Sequence, residues 1–218
     1  LRQEGDLFCF GDSPDLSYYD TFLLGSSLWL GETLYDVNID IAGKNLSITP
    51  STNTVFNLKL PVETESLILA REGGGGIMAF RPGRELKVPE GKFIAARYAV
   101  LRKDKQGDGW RLLAVATNAT PPVFVEKNGA ELVYGEPFEP IVSVPQWARQ
   151  QAGSGEPVQL QFAVAGKGKE RVVDLAHMTG NSTKIALSEK NTQRPKEPMY
   201  KIVTEDGETA SQGTFEYG

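Results

Sequence analysis

The sequence predicts an all-β protein of two antiparallel β-sandwich domains in tandem, with one or two short helices. Three observations carry this expectation. Apolar and polar residues alternate at a spacing of two, which turns one face of each strand inward and leaves the other wet. The alternating stretches are short and recur roughly every 8 to 15 residues, with Gly, Pro, Asn and Asp between them. Residues 84–100 read as a hairpin: Leu86 and Val88, a Pro89-Glu90-Gly91 turn, then a second strand. In that second strand Ile94, Ala96, Tyr98 and Val100 share one face, and Phe93, Ala95, Arg97 and Ala99 the other. Pro89 presets the turn and Gly91 takes the positive φ it needs.

The first thirty residues fit two readings. Ser13 as cap and Pro14 at the first helical position start a helix whose Leu16, Tyr19, Leu23 and Leu24 keep helical spacing up to Gly25. Phe8, Phe10, Phe22, Leu28 and Leu30 serve equally well in short strands. From Leu34 the pattern is firm: Val37, Ile39 and Ile41 alternate with Asp36, Asn38 and Asp40, and residues 42–45 turn the chain into Leu46 and Ile48. A strand over 55–60 closes at Pro61, which lacks a ladder donor. Strands over 67–70 and 77–80 flank four consecutive glycines, Gly73 to Gly76, each costly to order. A polar loop over 103–109 precedes a strand over 110–116, which Pro121-Pro122 ends. Residues 123–125, a Lys127-Asn128-Gly129 turn and residues 132–134 complete the first domain, 1–135.

Gly135-Glu136-Pro137 marks the boundary, and 136–218 is the second domain, long enough for one immunoglobulin-like sandwich. Its elements are a strand over 138–144, then a short helix between Pro145 and Gly153. Val158, Leu160, Phe162 and Val164 alternate next, followed by Val173 with Leu175 and by Ile185 with Leu187. A loop bracketed by Pro195 and Pro198, a strand over 200–202, a Glu205-Asp206-Gly207 turn and a strand over 213–217 end the chain.

Two segments carry a resemblance. Val88-Pro89-Glu90-Gly91-Lys92-Phe93 resembles the Pro-x-Gly-x-aromatic turn of carboxypeptidase-regulatory-like and collagen-binding-repeat (Cna B-type) sandwiches. Tyr200 to Gly207 with Gly213 to Gly218 resembles the closing hairpin of uncharacterised exported bacterial proteins with immunoglobulin-like domains. The resemblance implies an exported, non-enzymatic protein and supplies no catalytic residues. The Lys–Asn bond common in the Cna B-type family, with its nearby acid, finds no matching set of positions here.

Composition narrows the function. A formal net charge of -5 and scattered Lys and Arg residues argue against nucleic acid, which needs a dense basic face. Lys167, Lys169 and Arg171 are the nearest approach to a cluster, and a solvated hairpin tip explains them better than a phosphate site. No apolar run approaches the roughly 20 residues of a transmembrane helix; the best, 22–30, is broken by Gly25, Ser26 and Ser27. Leu1 in place of Met is expected after removal of an upstream leader, which fits a periplasmic or cell-surface location. Cys9 is the sole cysteine, so stability comes from packing without an internal disulfide.

Reactive centres find little support. His177 follows Asp174 by three, which places them on opposite faces of a strand, and no Gly-x-Ser-x-Gly elbow supplies a nucleophile. One His and one Cys do not build a zinc site. Calcium is the leading metal expectation, at Asp36, Asn38 and Asp40, but Ile41 stands where a calcium loop needs Gly and Ser47 where it needs Glu, and the polar face of a strand explains the three residues better. Asp12, Asp15 and Asp20 with Glu32 form a second oxygen-rich group. Trp29 and Trp147 are the candidate ligand-binding residues, able to stack on sugar rings; Trp110 reads as core. The sequence thus leads to an exported binding or structural protein of the bacterial cell envelope, meeting an envelope protein or polysaccharide. A carbohydrate-binding module or accessory subunit is the alternative, and a glycosidase- or peptidase-like enzyme the lesser one.

Overall fold

A computed structural model of the chain describes residues 7–8, 22–23, 26–39, 45–151, 158–178 and 195–216. Described in chain order, the strands are β1 (Leu7–Phe8), β2 (Phe22–Leu23), β3 (Ser27–Leu30), β4 (Thr33–Ile39), β5 (Leu46–Pro50), β6 (Val55–Arg71), β7 (Gly76–Pro89) and β8 (Gly91–Lys103). They continue with β9 (Gly109–Val115), β10 (Val123–Val125), β11 (Ala130–Glu131), β12 (Glu139–Ser143), helix α1 (Gln146–Gln151), β13 (Gln161–Ala165), β14 (Arg171–Met178), β15 (Met199–Val203) and β16 (Thr209–Thr214). The all-β expectation holds. Most strands join one twelve-stranded sheet in the order β12-β13-β14-β9-β8-β6-β7-β3-β4-β5, with β10 on β8 and β11 on β6. That sheet is mixed where a purely antiparallel one was expected: β3 runs parallel to β7 and β11 parallel to β6.

The expected breaks inside β6 and β7 do not occur. Pro61 interrupts the ladder without ending the strand, because four residues of β6, 60–63, bulge opposite one residue of β7, Arg84. The bulge has a consequence for burial. Leu58 and Leu60 lie nine positions before Leu67 and Leu69, an odd spacing that sends them to opposite faces of a regular strand. All four nevertheless share one core cluster, as do Ile77 and Ala79 with Leu86 and Val88 of β7. A smaller irregularity acts on β8, where Ile68 faces Arg97 but Leu69 faces Ala95, leaving Ala96 without a partner on β6. Phe93 and Ala95 therefore point inward before it, and Tyr98 and Val100 after it. This corrects the single alternating face expected for 94–100.

One edge of β6 takes two neighbours in succession: β11 at Leu58 and Lys59, then β8 from Ser66 to Arg71. Since β10 pairs with the first residues of β8 and leads through the 126–129 turn into β11, the chain closes around the core. Val125, Leu132 and Tyr134 fill the closing side. Tight turns hold the strand ends. Gly73, Gly74 and Gly75 all have positive φ at the β6–β7 turn, and a side chain on Gly76 would meet the Leu69 carbonyl 2.7 Å away.

The sheet does not stop at the expected boundary after 135. β14 pairs with β9 from Arg171↔Val115 to Met178↔Gly109, and β13 and β12 follow it. Hairpin β15–β16 forms its own two-stranded sheet. The short helix expected after Pro145 is present as α1. Most of the alternative helix over 14–24 lies outside the described residues, and its Leu23 belongs to strand β2, paired with Leu7. Ile185 and Leu187 also lie outside them. Edge strands β5 and β12 are exposed along their whole length, and each carries a proline, Pro50 and Pro140, which offers no donor to an added strand.

Leu69 is fully buried at the centre of this arrangement. Leu69→Ala is expected to lower unfolding free energy by about 2–5 kcal/mol in urea titrations. A loss below about 1 kcal/mol would show that the two halves of β6 do not share a core.

Candidate functional site

A cavity of about 1240 Å³ opens between hairpin β13–β14 and hairpin β15–β16. Its apolar lining includes Phe162 and Val164 on β13, Val172 on β14, and Tyr200 and Ile202 on β15. Three rings bridge the two hairpins. Phe215 lies 5.2 Å from Phe162 and 5.1 Å from Tyr200, both tilted, a geometry aromatic pairs favour. Tyr200 faces Gly213 across β15–β16, and a Cβ there would stand 2.9 Å from the Tyr200 hydroxyl, so glycine lets the ring lie across the strand. Arg171, Asp174, Lys196 and Glu216 add both signs of charge to the lining. The cleft thus offers stacking surfaces with a few polar groups, the make-up of a small-ligand or chain-binding site.

The residues singled out from sequence are placed as follows. Trp29 is 6% exposed within the core cluster, so its ring faces are covered by protein, and its Nε1 has no hydrogen-bond partner. Trp147 on α1 is 51% exposed and apart from the residues lining the cleft. Trp110 is half-buried at the start of β9, donating Nε1–H to Asp104 Oδ2 at 2.9 Å with its ring 5.0 Å from that of His177. That hydrogen bond is the main reason the Asp104 carboxyl is held below its usual range. His177 Nε2 stands 3.8 Å from Asp108, whereas Asp174 lines the cleft. Asp36 and Asn38 share one face of β4, opposite Thr49 and Ser47 of β5, while Asp40 lies outside the described residues. Asp12, Asp15, Asp20 and Cys9 lie outside them too, and Glu32 sits in the β3–β4 turn. Among the described residues no three His, Cys, Asp or Glu side chains gather as a metal site.

The sequence reading missed one group altogether. Glu170, inside the turn read as a solvated basic tip, is fully buried, while Lys167 and Lys169 beside it are exposed. Its Oε1 accepts from the Tyr98 hydroxyl at 2.7 Å and from the Gly135 N–H at 2.6 Å. The Tyr98 and Tyr134 rings stand 4.4 Å apart, and the Tyr134 hydroxyl shares a 2.7 Å hydrogen bond with Thr64 Oγ1. Burial, reinforced by the Glu170 hydrogen bond, raises the Tyr98 phenol far above its usual value. Burial likewise pushes Tyr134 up to about 12. The one available sequence signal was glycine at 166 and 168, where side chains would run into Glu170 Oε1 and the Val133 carbonyl.

Comparison with protein-family models, curated proteins and solved structures yields no match to this chain.

The two phenols set an alkaline limit to stability. Both hold their protons more tightly folded than unfolded, so their contribution is complete below the unfolded value near pH 10 and is lost as pH rises above it. Each tyrosine is expected to remove about 1.4 kcal/mol per pH unit between about pH 10 and 12. Urea titrations across that window check this, and Tyr134→Phe should reduce the slope; a flat profile contradicts it.

Proposed function

We propose that this chain is an exported, non-enzymatic binding or structural protein of the bacterial cell envelope. In this reading residues 136–218 form an immunoglobulin-like sandwich, with β12–β14 as one layer and β15–β16 as the other. The observation that carries it is the aromatic-lined cleft between those layers, where Phe162, Tyr200 and Phe215 offer ring faces beside mixed charges. Such a surface suits an envelope polysaccharide or an extended segment of an envelope protein, because stacking and a few polar contacts recognise either. A carbohydrate-binding module is the second reading, favoured by the same rings and by the exposed Trp147.

Co-sedimentation with purified peptidoglycan sacculi and soluble envelope polysaccharides tests the polysaccharide branch. Tyr200→Ala is expected to weaken retention about 10-fold, as truncation of an aromatic anchor does, while far-ultraviolet circular dichroism stays unchanged. Equal retention of native and variant protein would remove the cleft from the binding surface. Retention lost on Trp147→Ala alone would move the site to α1.

A further inference from the structure

We infer that Glu170 is a latch that fastens the strands after residue 135 to the core built by β6 and β8, so that the 166–170 turn and the Tyr134–Gly135 crossing open together.

Residue 135 is gripped from both sides. Its N–H donates to Glu170 Oε1, and its carbonyl accepts from the Lys167 N–H at 2.8 Å. The Tyr98 hydroxyl fixes the same carboxyl oxygen from the core, in the middle of β8. A third segment joins in, since Thr117 Oγ1 donates to the Lys169 carbonyl at 2.8 Å. The turn is shaped for this grip. Gly166 N–H bonds to the Glu170 carbonyl and Lys169 N–H to the Gly166 carbonyl, with Lys169 at a φ of 65°. That left-handed conformation is uncommon for a residue with a side chain, and it persists where the surroundings over-determine it. Gly166 and Gly168 have no room for a Cβ against Glu170 and Val133, so the turn sits flush on the crossing. Glu170 Oε2 is buried without a hydrogen-bond partner, so the carboxyl is held by the two donors at Oε1 alone. Losing either donor therefore favours withdrawal of the whole turn over a half-made contact. The β14–β9 ladder begins at Arg171, directly after Glu170, so the latch also pins the end of that ladder.

Amide hydrogen exchange on the whole chain tests the latch, comparing native protein with Glu170→Ala and Tyr98→Phe. In native protein the Gly135 and Lys167 amides are expected to exchange as slowly as core amides of β6 and β8. In Glu170→Ala they should accelerate by about 100-fold, while the β6 and β8 amides change by less than about 10-fold. Tyr98→Phe, which removes one hydroxyl and keeps the ring, should accelerate the same two amides selectively by about 10-fold, and it serves if the alanine variant does not fold. Loop-like exchange at Gly135 and Lys167 in native protein overturns the proposal. So does acceleration of core and turn amides by one common factor in the variants.

Discussion

The structure depends on a parity constraint. A strand shows one face to the core only while its residues alternate without interruption, and β6, β7 and β8 are too long for a straight strand to keep on one core. Each is reset part-way by a bulge or register shift. The resets place Leu58, Leu60, Leu67 and Leu69 around a common centre and let β6 exchange one neighbour, β11, for another, β8. Core, closure and the docking of the later strands follow from that bend. Pro61, which on its own marks the end of a strand, instead sits inside the bulge where no ladder donor is missed.

Much of this was legible in the residues. Alternation located β4, β9 and β13; Pro89 and Gly91 located the β7–β8 turn; Pro145 located α1. What escaped was everything set by partners distant in sequence. Ala96 is indistinguishable from a regular strand residue until β6 is seen skipping it. The parallel pairings, and the ladder carrying the sheet past 135 through β14 and β9, join segments dozens of residues apart. Glu170 was hidden for a different reason. Set among lysines and glycines it has the composition of a solvated tip, and only the arrival of Tyr98 and Gly135 supplies the donors that let a carboxyl leave water.

The candidate site shows the same division. Phe162 lies on the foreseen β13, whereas Phe215, expected inside a strand over 213–217, lies just past the end of β16, and their meeting across a cleft depends on how the two hairpins stack. Trp29 illustrates the opposite case: an aromatic residue in a strand is compatible with a binding platform and with a core, and its cross-strand neighbours Leu34 and Ala79 made it core. Asp36 and Asn38, read from sequence as part of a possible cation face, stand opposite Thr49 and Ser47 across an antiparallel pair.

The three indoles end up in three unlike surroundings: one enclosed without a partner, one tethered to a carboxylate, one in solvent. Their emission colours therefore separate, from blue for Trp29 to red for Trp147. The molecule carries built-in optical reporters for its interior, for the loop at Asp104, and for the outer helix.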